Sequence, residues 1–191
     1  MKLVFATNNK HKLREVRQIL GDQYEILSLE EIGFHEDIPE TEPTIEGNAS
    51  LKSYHIWNRF KINCFADDTG LEIEALNGEP GVYSARYAGE GCNFEDNINK
   101  VLKNLKDKTN RSASFRAIFS LIIDGKELQF EGKVPGIILA EKKGIDGFGY
   151  DPIFQPIGYE LTYAEMSADL KNKLSHRGEA ARKMSDYLKS L

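Results

Sequence analysis

The chain has 191 residues, 40% of them hydrophobic and 29% charged, with a formal net charge of −5. That is enough apolar material for one domain or two closely packed lobes, and the negative balance argues against a protein that coats nucleic acid polymer, since such binding runs on a basic face. No apolar run approaches the roughly 20 residues a membrane helix needs, and no secretory leader pattern is visible, so cytoplasmic residence without membrane association is expected.

In chain order, residues 2–6 read as a buried strand. Leu13, Val16, Ile19 and Leu20 then recur at helical spacing until Gly21 stops the helix. A short strand at Tyr24–Leu27 leads into the acidic stretch "LEEIGFHEDIPETEPT", which reads as a solvated loop. Thr44 caps a second helix with Ile45, Ala49, Ile56 and Phe60 on its apolar side. In "INCFADDTGLEIEALNGEPG" a short apolar strand is expected to end at two aspartates, and a second strand to end at the turn pair Asn77-Gly78. Residues 93–105 look helical, Asp124-Gly125 joins two β-rich runs into a hairpin, and the C-terminal segment is helical after a cap at Ser175. The two cysteines, Cys64 and Cys92, lie far apart with no metal-knuckle or CxxC spacing and are expected as reduced thiols. Mixed strands and helices point to an α/β class with a central mixed sheet.

Five polar clusters carry possible chemistry, each with a plainer reading beside it. Between the first strand and helix, Thr7, Asn8, Asn9, Lys10, His11 and Lys12 form a knot where backbone N–H groups and the helix dipole favour an anion, above all phosphate. It lacks the GxxxxGK[ST] spacing of a P-loop, and a simple capped helix start fits it too. Thr44, Asn48 and Lys52 share one stripe of the second helix; Lys52 either serves a site or snorkels at the surface. The pair Asp67-Asp68 needs something positive nearby, and Asp68 with Glu40 suffices for magnesium, which takes few carboxylates besides water and phosphate; a cap and a turn acid are the alternative. "GFGYDPIF" (147–154) presents Phe148 between glycines, for stacking on a nucleobase or merely as a tight turn. In "KNKLSHRGEA", Lys171, His176 and Arg177 crowd the start of the last helix against its dipole, which suggests an outside acceptor or a solvated basic turn.

Together these segments resemble the inosine triphosphate pyrophosphatase family, enzymes that clear deaminated purine nucleotides from the precursor pool. The matching pieces are "ATNNKHKLRE" for the family's TxNxxKxxE start, "ETEPTIEGNASLK" for ETGxTFxENAxxKA, "FADDTGLEIEALNGEPGVYSARYAG" for ADDSGL and PGxYSARY, then "GFGYDPIF" and "SHRGEA". They run in the family's order from residue 5 to residue 180. Some positions depart from the pattern: Asn8 and Glu42 stand for glycines, Gly47 for a glutamate, and Thr69 for a serine whose hydroxyl it keeps.

The resemblance implies one domain over residues 1–191, a long central mixed sheet with helical lobes at both ends and an active cleft between them, and a homodimer. It implies hydrolysis of non-standard purine nucleoside triphosphates (ITP, dITP, XTP) to the monophosphate and pyrophosphate, with Mg2+. In that scheme Asp68 is the catalytic carboxylate, and Glu40 and Asp68 hold the metal. The substrate-binding set is the loop Thr7, Asn8, Asn9, Lys10, His11 and Lys12, with Lys52, Thr69, Phe148, Gly149, Tyr150, Asp151, Lys171, His176 and Arg177. Phe148 stacks on the purine, Asp151 holds the sugar or the base loop, and Lys171, His176 and Arg177 offer donors to the 6-oxo edge that adenine lacks. The rival readings are a pyrophosphatase or phosphatase for other nucleoside triphosphates and a non-catalytic nucleotide sensor.

Overall fold

The opening apolar run forms strand β1 (Lys2–Phe5), and its period-2 alternation sends Leu3 and Phe5 to one face and Val4 to the other. Both faces are covered, so the run is continuously apolar. The computed structural model describes residues 1–91 and 93–191; the expectation of a thiol at Cys92 falls outside them. After β1 come α1 (Lys10–Leu20), β2 (Glu25–Leu27), α2 (Ile45–Phe60), β3 (Cys64–Ile73), β4 (Pro80–Gly81), α3 (Phe94–Asn104), β5 (Ser112–Ile123), β6 (Lys126–Ile138), β7 (Phe154–Pro156), α4 (Ala168–Leu174) and α5 (His176–Lys189). Among the described residues no helix is long and apolar enough to cross a membrane.

The sheet runs in the order β2-β1-β3-β5-β6-β7, with β4 paired to β3. β1 is parallel to both β2 and β3, in register Lys2 with Glu25 and Phe5 with Phe65, while β4 and β7 pair antiparallel with β3 and β6. The expected mixed α/β sheet is therefore present. Two compact units divide the chain: the first holds residues 1–68, 117–132 and 176–191, the second 69–116 and 133–175. Three of the four boundaries between them fall inside β3, β5 and β6, and the fourth falls between α4 and α5.

In the first unit one face of the sheet buries Leu3, Phe5, Phe65, Phe119 and Leu121 under Val16 and Leu20 of α1 and Ala180, Met184 and Leu188 of α5. Phe5 and Phe65 stack there at 4.5 Å. The opposite face packs Val4, Ala6, Cys64, Ala66 and Ile122 against Ile56 of α2 and against Leu29 and Phe34. Leu29 and Phe34 anchor a stretch that the sequence reads as a solvated loop. Burial pushes the Cys64 thiol up to about 12. Gly132 on β6 is required by a close approach, since a Cβ there would collide with the carbonyl oxygen of His176 at the start of α5.

The second unit has its own core of Leu71, Ile73, Ile98, Val101, Leu105, Phe115, Ile153, Phe154 and Tyr163, with Phe115 edge-on to Phe154 at 4.6 Å.

One expectation fails outright: the two aspartates do not end a strand. β3 passes through Asp67 and Asp68 without interruption for 10 residues, because both carboxylates are paired from neighbouring helices and the backbone ladder need not break. The Asp124-Gly125 hairpin is present, with φ of 49° and 82° at its two residues, the left-handed values such a tight turn requires.

Candidate active site

β1 ends where Phe5 pairs with Phe65, and the Ala6 N–H still bonds the Phe65 carbonyl. Asp67 and Asp68 therefore lie just beyond the C-terminal end of a parallel strand, where open α/β sheets place their ligands. Alternation on β3 sends the two side chains to opposite faces. Asp67 shares the face of Phe65 and meets Lys12 of α1 at 3.0 Å and the Arg177 Nε of α5 at 3.4 Å. Asp68 shares the face of Ala66 and meets Lys52 of α2 at 3.2 Å. Each neighbour has its own cation, which offsets their mutual repulsion, so the turn-and-cap reading of this pair is overturned.

Lys52 is buried, not a snorkelling surface lysine. Its ammonium lies 2.8 Å from Glu40 as well as 3.2 Å from Asp68, and although burial works against its charge, Asp68 and Glu40 outweigh that and hold its pKa above the ordinary value. Lys12 goes the other way: burial lowers it despite Asp67, with Lys52 and Arg177 adding repulsion. These mutual influences, including that of Asp68 on Lys12, place both lysines in one electrostatic neighbourhood. Burial raises Asp68, partly opposed by Lys52 and Lys12. Asp67 is equally buried, but Lys12, Arg177 and Lys52 together overcome that and hold its carboxyl well below the usual range.

The first loop is less open to anions than its sequence suggests. Asn9 caps α1, its Oδ1 accepting the N–H groups of His11 and Lys12, while Thr7 Oγ1 accepts the Asn9 N–H. Asn8 is turned to Asp37 and the Glu36 carbonyl. Lys10 and His11 are exposed. Three amides of the anion nest are thus engaged internally, and the loop's positive contribution to the cluster is the Lys12 side chain.

Sequence reasoning assigned no role to Glu15, although it occupies the last position of the TxNxxKxxE pattern. Its carboxylate accepts from Arg177 Nη1 at 2.6 Å, giving a buried chain Glu15–Arg177–Asp67–Lys12 of alternating sign.

Lys171, His176 and Arg177 do not crowd one helix start. Lys171 sits on α4 in the second unit; His176 and Arg177 open α5 in the first. The acceptors these cations called for are internal: Arg177 has Glu15 and Asp67, and Lys171 has Asp151 at 2.7 Å. Within the second unit the Lys171 ammonium also lies 4.9 Å from the centre of the half-buried Phe148 ring. Asp151 Oδ2 accepts the Phe148 N–H at 2.8 Å, and Gly147 and Gly149 take φ of 80° and 62° to form this loop. Tyr150 is buried in the core and donates its hydroxyl to the Ser84 carbonyl. Thr69 lies on β3 in the second unit.

Glu40 and Asp68 together suit a divalent cation. Asp68 Oδ2 is buried with no hydrogen-bond partner among the described residues, and the Glu40 side chain keeps 29% exposure. No cage of three or more acidic, His or Cys ligands occurs among the described residues, consistent with an ion completed by ligand and water oxygens. Across the first unit's cluster three cations, Lys12, Lys52 and Arg177, face four carboxylates, Glu15, Glu40, Asp67 and Asp68. A bound divalent ion would reverse the balance of −1.

An interior strand that gathers buried acids and cations in this way marks an α/β protein whose side chains suit an anionic ligand. The chain belongs to the Ham1 family, whose model matches residues 3–187. It is 53% identical over 190 residues to a dITP/XTP pyrophosphatase of Flavobacterium psychrophilum, covering 100% of each chain, and 51% identical over 188 residues to that of Porphyromonas gingivalis, covering 98% of this chain and 97% of the relative. Among solved structures it resembles the Ham1 protein of Staphylococcus aureus, with TM-score 0.90 and 39% identity over 100% of this chain and 99% of the other. It also resembles a HAM1 protein from Coxiella burnetii, with TM-score 0.92 and 38% identity over 100% of both chains.

Proposed function

We propose that the protein hydrolyses non-standard purine nucleoside triphosphates, dITP, ITP and XTP, to the monophosphate and pyrophosphate. The observation that carries this reading is the Lys52 ammonium held between Glu40 and an Asp68 carboxylate whose second oxygen is buried without a partner. Relatives named dITP/XTP pyrophosphatases at 53% and 51% identity support the substrate class.

Water attacks the α-phosphorus, a new P–O bond forms, the bond to the bridging oxygen breaks, and pyrophosphate leaves with that electron pair. Asp68 orients the water and takes its proton. Lys12 and Lys52 offer charge to the departing phosphates. Asp67 acts through its neighbours: paired with Lys12 and Arg177, it positions the lysine rather than the water. Magnesium held by Glu40 and Asp68 would neutralise charge on the phosphate oxygens. Phe148, Asp151 and Lys171 are the proposed readers of the base, supported by the aromatic face, the fixed loop and an ammonium donor suited to an oxo group. Cytoplasmic residence and a homodimer are proposed on the family resemblance.

The test is pyrophosphate release from a panel of dITP, XTP, ITP, ATP and GTP, with magnesium and with chelator. Magnesium-dependent pyrophosphate from the oxo-purine analogues, with ATP poorly used, is expected. Release of orthophosphate instead, or binding without turnover, overturns the proposal.

A further inference from the structure

Asn48 has a fully buried side chain whose polar groups the mechanism above does not use. It stands one turn before Lys52 on the same face of α2. Its Oδ1 accepts the backbone N–H of Glu42 at 2.9 Å. A backbone N–H can only donate, so this bond fixes which end of the amide is which. The other end, Nδ2, has no hydrogen-bond partner among the described residues, and neither does Asp68 Oδ2. Buried amide donors are nearly always paired, because leaving one unmade forfeits its hydration with nothing in return. The same face of α2 thus holds the acidic loop twice, Asn48 at Glu42 and Lys52 at Glu40, and leaves one oriented donor unmatched beside them.

We propose that Asn48 is a further substrate-binding residue: Nδ2 donates to a phosphate oxygen of the triphosphate, while Oδ1 holds the loop that carries Glu40. This rests on the function proposed above. The ligand-free protein tolerates an unpaired donor so that substrate can complete it, the exchange of stability for function common at binding sites.

Two variants test it. Asn48→Leu keeps the volume and removes the donor and the acceptor. Asn48→Asp keeps the acceptor for Glu42 and replaces the donor with an oxygen that repels phosphate. Each is assayed for kcat and KM on dITP and titrated calorimetrically with inorganic tripolyphosphate, and the melting temperature of Asn48→Leu is recorded. Both variants are expected to lose about ten- to a hundredfold in kcat/KM, the range for a hydrogen bond to a charged group, with a matching loss of tripolyphosphate affinity. Asn48→Leu is expected to melt no lower than the parent, because exposed Glu42 can turn its N–H to water. A purely structural asparagine gives the reverse, a lower melting temperature with unchanged kcat/KM and unchanged tripolyphosphate affinity. That result overturns the inference, as does failure of both variants to fold. If the parent itself releases no pyrophosphate, the functional reading fails instead, and the two failures are distinct.

Discussion

Burial pushes the carboxyl of Asp68 up, whereas Lys12 and Arg177 outweigh burial and hold its neighbour Asp67 down, a contrast created by the pleat that turns the two side chains to opposite faces. Asp68→Asn is expected to abolish pyrophosphate release, and full activity in the purified variant contradicts this. Removing Arg177 leaves Asp67 and Glu15 buried with one cation fewer between them. Arg177→Ala is expected to cost about 3–5 kcal/mol in denaturant unfolding, the usual penalty for breaking a buried pair. A loss under 1 kcal/mol argues that water already reaches the pair.

The first turn of α2 makes sense of two departures from the family's pattern. Thr44 caps the helix by accepting the Gly47 N–H, and a Cβ on residue 47 would stand 2.7 Å from the Cβ of Glu42. The space admits a side chain from one of these positions, so Glu42 and Gly47 are one reciprocal change, not two independent losses. Gly47→Ala is expected to destabilise, because a clash between two Cβ atoms in ordered backbone costs about 1–3 kcal/mol and outweighs the roughly 1 kcal/mol by which alanine favours a helix. Adding Glu42→Gly is expected to recover the loss. Urea unfolding of both single variants and the double variant measures the coupling, and strictly additive effects contradict it. The same reciprocity was hidden in sequence, since glycine at 47 reads only as a poor helix residue until the partner loop is placed against it.

At the scale of the whole molecule the net charge of −5 and the local balance of −1 in the acid–cation cluster both favour a polyphosphate that arrives with a cation over a bare one. Magnesium alone is expected to raise the melting temperature of the parent through preferential binding to the folded state and to leave that of Asp68→Asn unchanged. Equal shifts in both proteins place the ion away from Asp68. The fold that supports this cluster was widely legible. β1, α1, α2, the Asp124-Gly125 hairpin and α5 follow from apolar periodicity, caps and turn chemistry, which are local properties. β7 and the separate α4 were not, because three residues of strand and seven of helix give too short a pattern to register against background.

The sequence by itself determined which groups the protein would use: two adjacent acids, two lysines, a glycine-framed phenylalanine and their order along the chain, together with the family they resemble. Only tertiary structure decided their partners. It put Asp67 with Lys12 and Arg177, put Asp68 with Lys52, and brought Glu15 into the cluster from the last position of a motif. Pairings across 16 to 162 positions of separation depend on how strands and helices stack, whereas periodicity and capping are written within a few residues of one another.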